Sequence, residues 1–468
     1  MYIHIRDAIG IRRRERMRAL HFTTALTADG WADDVRIEIE GGRVARLEAG
    51  ADPGGAERHA IGVPGLASLH SHAFQRGMAG LAEYRSTAAD TFWSWRETMY
   101  RFALTVDPED VADIARQLYV EMLEAGFTAV GEFHYLHHDR DGRPYADVGE
   151  LAGRIAGAAA DAGIGLTLLP VYYRWATFGR VPGRPEQRRF LSDPDLFARL
   201  LEGAERAVAG LDGAGVGVAP HSLRAATIEE VRQVAAMAAG RPIHIHVAEQ
   251  VKEVEDCLAA TGARPVRHLL DGTDAGEGWC LIHATHMTDD ETADVARRGA
   301  VAGLCPVTEA NLGDGVFPTP AFLAAGGAFG VGTDSNVLVD PAAELRQLEY
   351  AQRLSTRTRN VIAGPAASTG RTLFDGALAG GAKALGRPAG ALAPGAPADI
   401  VSLDGDHPSL VARTGDALLD AFVFVAGRSA VDTVWVAGRK VVENGMHHRR
   451  AGTAEAYRAC LRRLVGRM

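Results

Sequence analysis

A TIM-like (β/α)8 barrel, carrying a small β-sandwich domain built from both chain ends, is the α/β architecture this sequence predicts. Apolar, β-rich runs alternate with helical stretches through the middle of the 468 residues, the mark of βα units on a parallel sheet. Eight such runs can be counted, the strand number of a closed parallel barrel. Segments near both ends instead alternate apolar with polar residues, as strands with one wet face do.

Residues 1–18 read as a basic extension (Arg6, Arg12, Arg13, Arg14, Arg16, Arg18) or, more simply, as codons upstream of a start at Met17. Residues 19–62 begin the sandwich, with a hairpin pattern over 33–48 around Gly41-Gly42. The barrel is expected over 63–386, with strands at 65–72, 128–135, 164–172, 216–221, 242–247, 279–283, 300–306 and 328–334. Between them, 108–126, 147–163, 227–239, 250–270 and 289–299 carry helical spacing or composition, several opening on a Thr or Asp able to cap them. Residues 387–446 return to alternation and complete the sandwich, and 447–468 is expected as a C-terminal helix.

The 47% hydrophobic and 23% charged content is that of a soluble globular protein. A net charge of −9 argues against a nucleic-acid surface, which needs a positive stripe. No apolar run approaches the roughly 20 residues that cross a bilayer. Cys257, Cys280, Cys305 and Cys460 lack CxxC spacing, so neither a disulfide framework nor a cysteine-rich zinc module is predicted, and the cytoplasm is the expected compartment.

Barrel active sites gather at the C-terminal ends of the strands. His72, Tyr135, Arg174, His221, His246, His283, Glu309 and Asp334 all fall at or just past those ends. His70 and His72 are two residues apart, so on a strand they share a face and can grip one ion; the alternative is a pair of ordinary turn residues. Of His244 and His246, the second is nearer the strand end and is taken as a ligand, the first as a hydrogen-bonded core residue. Asp334 reads as a ligand that also accepts a proton from water, against a cap for a helix beginning near Pro341. Glu249, three residues past His246, suits proton shuttling to a leaving nitrogen, against a glutamate favoured by a helix dipole. The lysines, Lys252, Lys383 and Lys440, end no proposed barrel strand, so no lysine is available to bridge two metals. One metal is expected on His70, His72, His246, Asp334 and water, zinc by its ligand types, which admit iron as well.

At these residues the chain resembles the amidohydrolase superfamily, with HxH, two later histidines and a late aspartate on strands one, five, six and eight. LHSHAFQRGMAG from Leu69, FWSWRETMYR from Phe92, EFHYLHH from Glu132 and APHSLR from Ala219 are similar to the formimidoylglutamate deiminase family, and the similarity runs from about Asp29 to the C-terminus. The resemblance implies a homodimer and hydrolysis of N-formimidoyl-L-glutamate to N-formyl-L-glutamate and ammonia. It implies that Gln75, Arg96, Tyr135, His221 and Arg224 hold the substrate. Such a substrate bears two carboxylates, which arginine forks suit, although a surface salt bridge is the usual fate of an arginine. Asp334 would take a proton from water, His283 orient the nucleophile, and Glu249 protonate the departing nitrogen. The rival readings are deamination of guanine or of N-formimidoyl-L-aspartate, and a metal-free barrel acting as a scaffold. One departure from the family is Asn336, where a histidine is expected, and it leaves the pocket open to change there.

Overall fold

The computed structural model describes residues 18–85, 90–388 and 390–467; residues 1–17 of the basic extension lie outside the described residues. The chain opens with β1 (Arg18–Thr27), β2 (Gly30–Glu40), β3 (Arg43–Glu48) and β4 (Glu57–Pro64). Strand β2 turns into β3 through Gly41 and Gly42, both at positive φ, the backbone that a two-residue hairpin turn requires.

The parallel strands follow: β5 (Leu66–Ser71), β6 (Phe127–His134) and β7 (Gly165–Tyr172), then a short hairpin of β8 (Trp175–Thr177) and β9 (Val181–Pro182). Next come β10 (Gly215–Val216), β11 (Ala219–Pro220), β12 (Ile243–Val247), β13 (Trp279–His283), β14 (Val301–Leu304) and β15 (Ala328–Val331). The expected fourth strand is thus broken in two. Gly217 sits at the break, where an added Cβ would meet the Pro242 carbonyl oxygen at 2.5 Å. The helix expected over 250–270 is also divided, into Val251–Thr261 and Pro265–Gly272, because Gly262 takes a left-handed conformation and Pro265 has no N–H to continue the ladder. Thr227 caps its helix at the expected start, whereas Thr288 and Asp107, each one residue before the expected start, close the capping boxes of theirs, and Gly149 rather than Asp147 stands at the cap of the helix Glu150–Ala162.

The parallel strands fall into two sheets, one ordered β10-β7-β6-β5 with β11 on β7, the other β12-β13-β14-β15. Isolated parallel bridges close the ring, Ser71 to Asp334 on one side and Val218 to Ile243 and Ser222 to His246 on the other. The first seam runs through residues singled out above: Asp334 N–H donates to the His70 carbonyl and His72 N–H to the Asp334 carbonyl, each at 3.0 Å. At the second seam His246 N–H donates to the His221 carbonyl at 3.0 Å. Barrel closure and assembly of the C-terminal rim are therefore one event.

After the barrel come β16 (Ile400–Leu403), β17 (Val431–Val436), β18 (Arg439–Glu443) and β19 (Met446–His447), and they join the opening strands in one eight-stranded sheet, β19-β18-β17-β16-β4-β1-β2-β3. The sheet curls so that its two halves share a core of Leu20, Phe22, Val35, Ile37, Ile400 and Trp435, all fully buried. An eleven-residue β2 supplies Val35, Ile37 and Ile39 to this core by strict alternation, and a ten-residue β1 adds Leu20, Phe22 and Ala25. The final helix, Arg450–Val465, packs on the helix Pro108–Glu124 of the barrel. No helix among the described residues is long and apolar enough to cross a membrane, and the four cysteines are free and buried.

Candidate active site

Ends of β5, β12 and β15 bring His70, His72, His246 and Asp334 into one buried cluster, with one donor atom of each within 4.8 Å of the others. His70 Nε2 lies 3.2 Å from His72 Nε2 and 3.0 Å from His246 Nε2. Asp334 Oδ1 lies 3.5 Å from His70 Nε2 and 3.3 Å from His72 Nε2. Donors about 2.0–2.1 Å from a tetrahedral zinc are separated by about 3.3 Å, so this set fits a single ion. His72 and His246 each present Nε2 because their Nδ1 atoms are spent on the Phe133 and His221 carbonyls, both at 3.0 Å. Burial lowers the pKa of all three imidazoles, that of His70 to about 3, which keeps them in the neutral form a cation binds. Burial would raise Asp334, but the bond from His70 and the His283 cation hold it below the usual carboxylate range.

His244 points into the core, its Nε2 bonded to the Ala384 carbonyl at 2.8 Å. Asp334 does not cap the helix Pro341–Thr356; Asp340 does, accepting from Ala342 and Ala343 N–H. Glu249 lies before the helix Val251–Thr261, whose cap position is Gln250, and is not one of its first-turn residues. Arg174 leaves the site to face Glu230 at 3.5 Å and Trp175. Asn336 does not line the pocket. Fully buried, it donates to the carbonyls of His72 (3.1 Å) and Asp334 (2.9 Å) and so ties the two ligand-bearing strand ends together.

Beside the cluster, His283 Nε2 stands 3.7 Å from Glu249 Oε1 and 3.8 Å from Asp334 Oδ2. Its Nδ1 contacts Glu309 Oε1 at 3.2 Å. Burial would lower its pKa, yet the carboxylates of Glu249, Glu309 and Asp334 push it up to about 10, so the ring is a cation at neutral pH. Burial raises Glu249, more than offsetting the charges of His283 and Arg224. Asp334 thus turns one oxygen to the histidine trio and the other to His283.

One pocket opens onto Glu249, His283 and Asp334, and Gln75, Arg96, Tyr135, His221 and Arg224 line it too. Gln75 donates to Tyr135 Oη at 2.7 Å, leaving its own Oε1 buried without a hydrogen-bond partner. Arg96, on the helix Phe92–Ala103, stacks over Trp93 and Tyr100 at 4.5 and 5.5 Å, and its buried Nε has no hydrogen-bond partner. Arg224 is engaged, its terminal nitrogen 3.1 Å from Glu249 Oε2. His221 Nδ1 meets Ser222 Oγ at 3.0 Å.

Three supporting groups were assigned no role in the sequence reading. Glu309 holds His283 and also accepts Cys305 N–H at 2.8 Å. Glu132 accepts Ala73 N–H at 2.6 Å and Tyr119 Oη–H at 3.2 Å, fixing the turn just after His72. Glu253 sits behind Arg224 and Glu249. Glu309 was counted among the polar residues past strand ends, Glu132 is a carboxylate inside an apolar run, and Glu253, among Lys252, Glu255 and Asp256, carries no such signal.

The chain matches the family described as Amidohydrolase family over residues 61–441, and Formimidoylglutamate deiminase HutF, N-terminal domain, over residues 17–60. The chain belongs to the amidohydrolase family. An amidohydrolase from Brucella melitensis, known by crystal structure, superposes with a TM-score of 0.93 at 55% identity, covering 96% of this chain and all of that one. A formimidoylglutamate deiminase of Pseudomonas aeruginosa is 51% identical over 449 residues, covering 94% of this chain and 98% of its own length. A 5-methylthioadenosine/S-adenosylhomocysteine deaminase of Natronomonas pharaonis is 30% identical, over 90% of each chain. Amidohydrolases are metal-dependent, and the cluster of three histidines and one aspartate is the candidate seat of the metal here.

Proposed function

We propose that this chain hydrolyses the formimidoyl C=N bond of N-formimidoyl-L-glutamate, releasing ammonia and N-formyl-L-glutamate, with zinc held by His70, His72, His246 and Asp334. The observation that carries the reading is the entry of two guanidinium groups, Arg96 and Arg224, into the same pocket as the histidine cluster and Glu249. A substrate with two carboxylates can engage both, whereas a neutral heterocycle offers neither a charged partner. The 51% identity to a formimidoylglutamate deiminase supports the same conclusion.

A divalent cation in the cluster supplies Lewis acidity and a lowered pKa for water. The residues do the rest. Asp334, ionised and facing both the cluster and His283, accepts the proton as water adds to the formimidoyl carbon. The His283 imidazolium, fixed by Glu309, directs an N–H at the oxygen that adds and balances its charge. Glu249 delivers one proton to the terminal nitrogen and Asp334 returns the one it took from water, so that the C–N bond breaks with ammonia departing, and the added hydroxyl passes its proton to Glu249 as the formyl C=O forms. Gln75 and Tyr135 sit where they can hold the amidine.

The direct test is ammonia release from N-formimidoyl-L-glutamate, N-formimidoyl-L-aspartate and guanine, with the metal content of the same sample measured. The first substrate is expected to react fastest, and chelation to stop it with recovery on adding zinc. No reaction with the first rejects the reading, and a purified protein that never takes up metal points to a scaffold. Arg224→Ala is expected to raise KM by roughly 10- to 100-fold, the scale of a charged hydrogen bond, with a smaller effect on kcat; a fall in kcat alone removes Arg224 from substrate recognition.

A further inference from the structure

Two carboxylates converge on Arg224, and one of them is outside the pocket. The terminal nitrogen of Arg224 meets Glu249 Oε2 at 3.1 Å on the pocket side, while Nε faces Glu253 Oε1 at 3.9 Å. Glu253 is fully buried in the helix Val251–Thr261 and does not line the pocket. Its second oxygen accepts the backbone N–H of Glu249 at 3.1 Å. Its Oε1 and Arg224 Nε are each without a hydrogen-bond partner. One enclosed side chain therefore touches the peptide bearing the candidate acid and stands opposite the candidate carboxylate-binding arginine.

A substrate carboxylate entering the pocket competes with Glu249 for the outer edge of the guanidinium and cannot reach Glu253. Glu253 is tied to Glu249 through that residue's own N–H, and like-charge repulsion from Glu253 acts against ionised Glu249, behind burial as the main cause. The balance favours handing Arg224 to the substrate while Glu253 keeps the guanidinium oriented from behind. Resting on the deiminase reading, we infer that Glu253 is a positioning residue for dicarboxylate specificity, biasing Arg224 away from Glu249 and toward the substrate carboxylate.

The experiment compares kcat/KM for N-formimidoyl-L-glutamate with that for its two monoamides, N-formimidoyl-L-glutamine and N-formimidoyl-L-isoglutamine, in the metal-loaded protein. Arg224→Ala identifies the monoamide lacking the carboxylate that Arg224 reads, because discrimination against that one disappears. Glu253→Gln is expected to narrow discrimination against the same monoamide on the order of tenfold, leaving the other ratio and the metal content unchanged. Glu253→Asp, which keeps the charge but withdraws it by one methylene, is expected to narrow it less, and decides in the same way if Glu253→Gln does not fold. Equal losses on all three substrates, with the ratios intact, reduce Glu253 to a packing role and overturn the inference. Wild-type protein inert toward the diacid overturns the deiminase reading instead.

Discussion

His246→Ala is expected to yield a folded protein that holds no stoichiometric metal and has no measurable turnover. His246 contributes one of three converging Nε2 atoms, 3.0 Å from that of His70, and its removal leaves two nitrogens and one carboxylate oxygen around an enlarged space, a set that binds the ion more weakly than the full cluster. The ring also packs among Phe133, His221 and His283, with centroids 4.5–5.5 Å away, so the substitution opens a space at the mouth of the barrel. The backbone bond from His246 to His221 that closes the ring is untouched, which is why the fold is expected to survive. Elemental analysis, far-ultraviolet circular dichroism and ammonia release on one sample check this. Full metal with lost activity moves the ion elsewhere.

Glu249→Gln is expected to keep the metal while lowering kcat by roughly 100-fold or more, the range of general acid–base contributions. The glutamine is isosteric and the residue is not a ligand, so the ion stays, but it has no proton to give the departing nitrogen. Glu249 makes none of the short contacts inside the histidine cluster; its nearest catalytic neighbour is His283 at 3.7 Å. A loss below tenfold would show that the leaving group takes its proton from another donor.

The site was legible in the sequence to the extent that period-two geometry governs it. His70 and His72 are two apart on a strand, and His246 lies beyond His244 on β12, so facing and depth follow from counting. Asp334 was harder, a carboxylate ahead of a helix beginning near Pro341 and so readable as its cap; the structure gives that cap to Asp340, which the sequence reading did not single out. What stayed hidden depends on backbone outside the regular elements. Ala248, His283, Ala284, Asp334 and Asn336 all adopt positive φ at the strand ends, a strained conformation that no periodicity announces and that re-aims each side chain as it leaves the barrel. The pairing of Arg224 with Glu249, and of Glu253 behind them, likewise joins side chains from two separate loops and a helix. The break in the fourth strand follows from a close approach of Gly217 to Pro242, which a run of small residues does not reveal.

Strand β4 pairs on one edge with β1 and on the other with β16, so Ile61 to Pro64 wait for Ile400 to Leu403. During synthesis the amino-terminal strands leave the ribosome with that edge bare, and nothing local can cover it until more than three hundred further residues have followed. Closing so long a loop is slow, and an open edge invites pairing with other nascent chains. The same arrangement makes the terminal sheet a checkpoint: a chain truncated before residue 400 can still carry every candidate ligand, yet it leaves the ribosome with its first sheet half built and prone to aggregate.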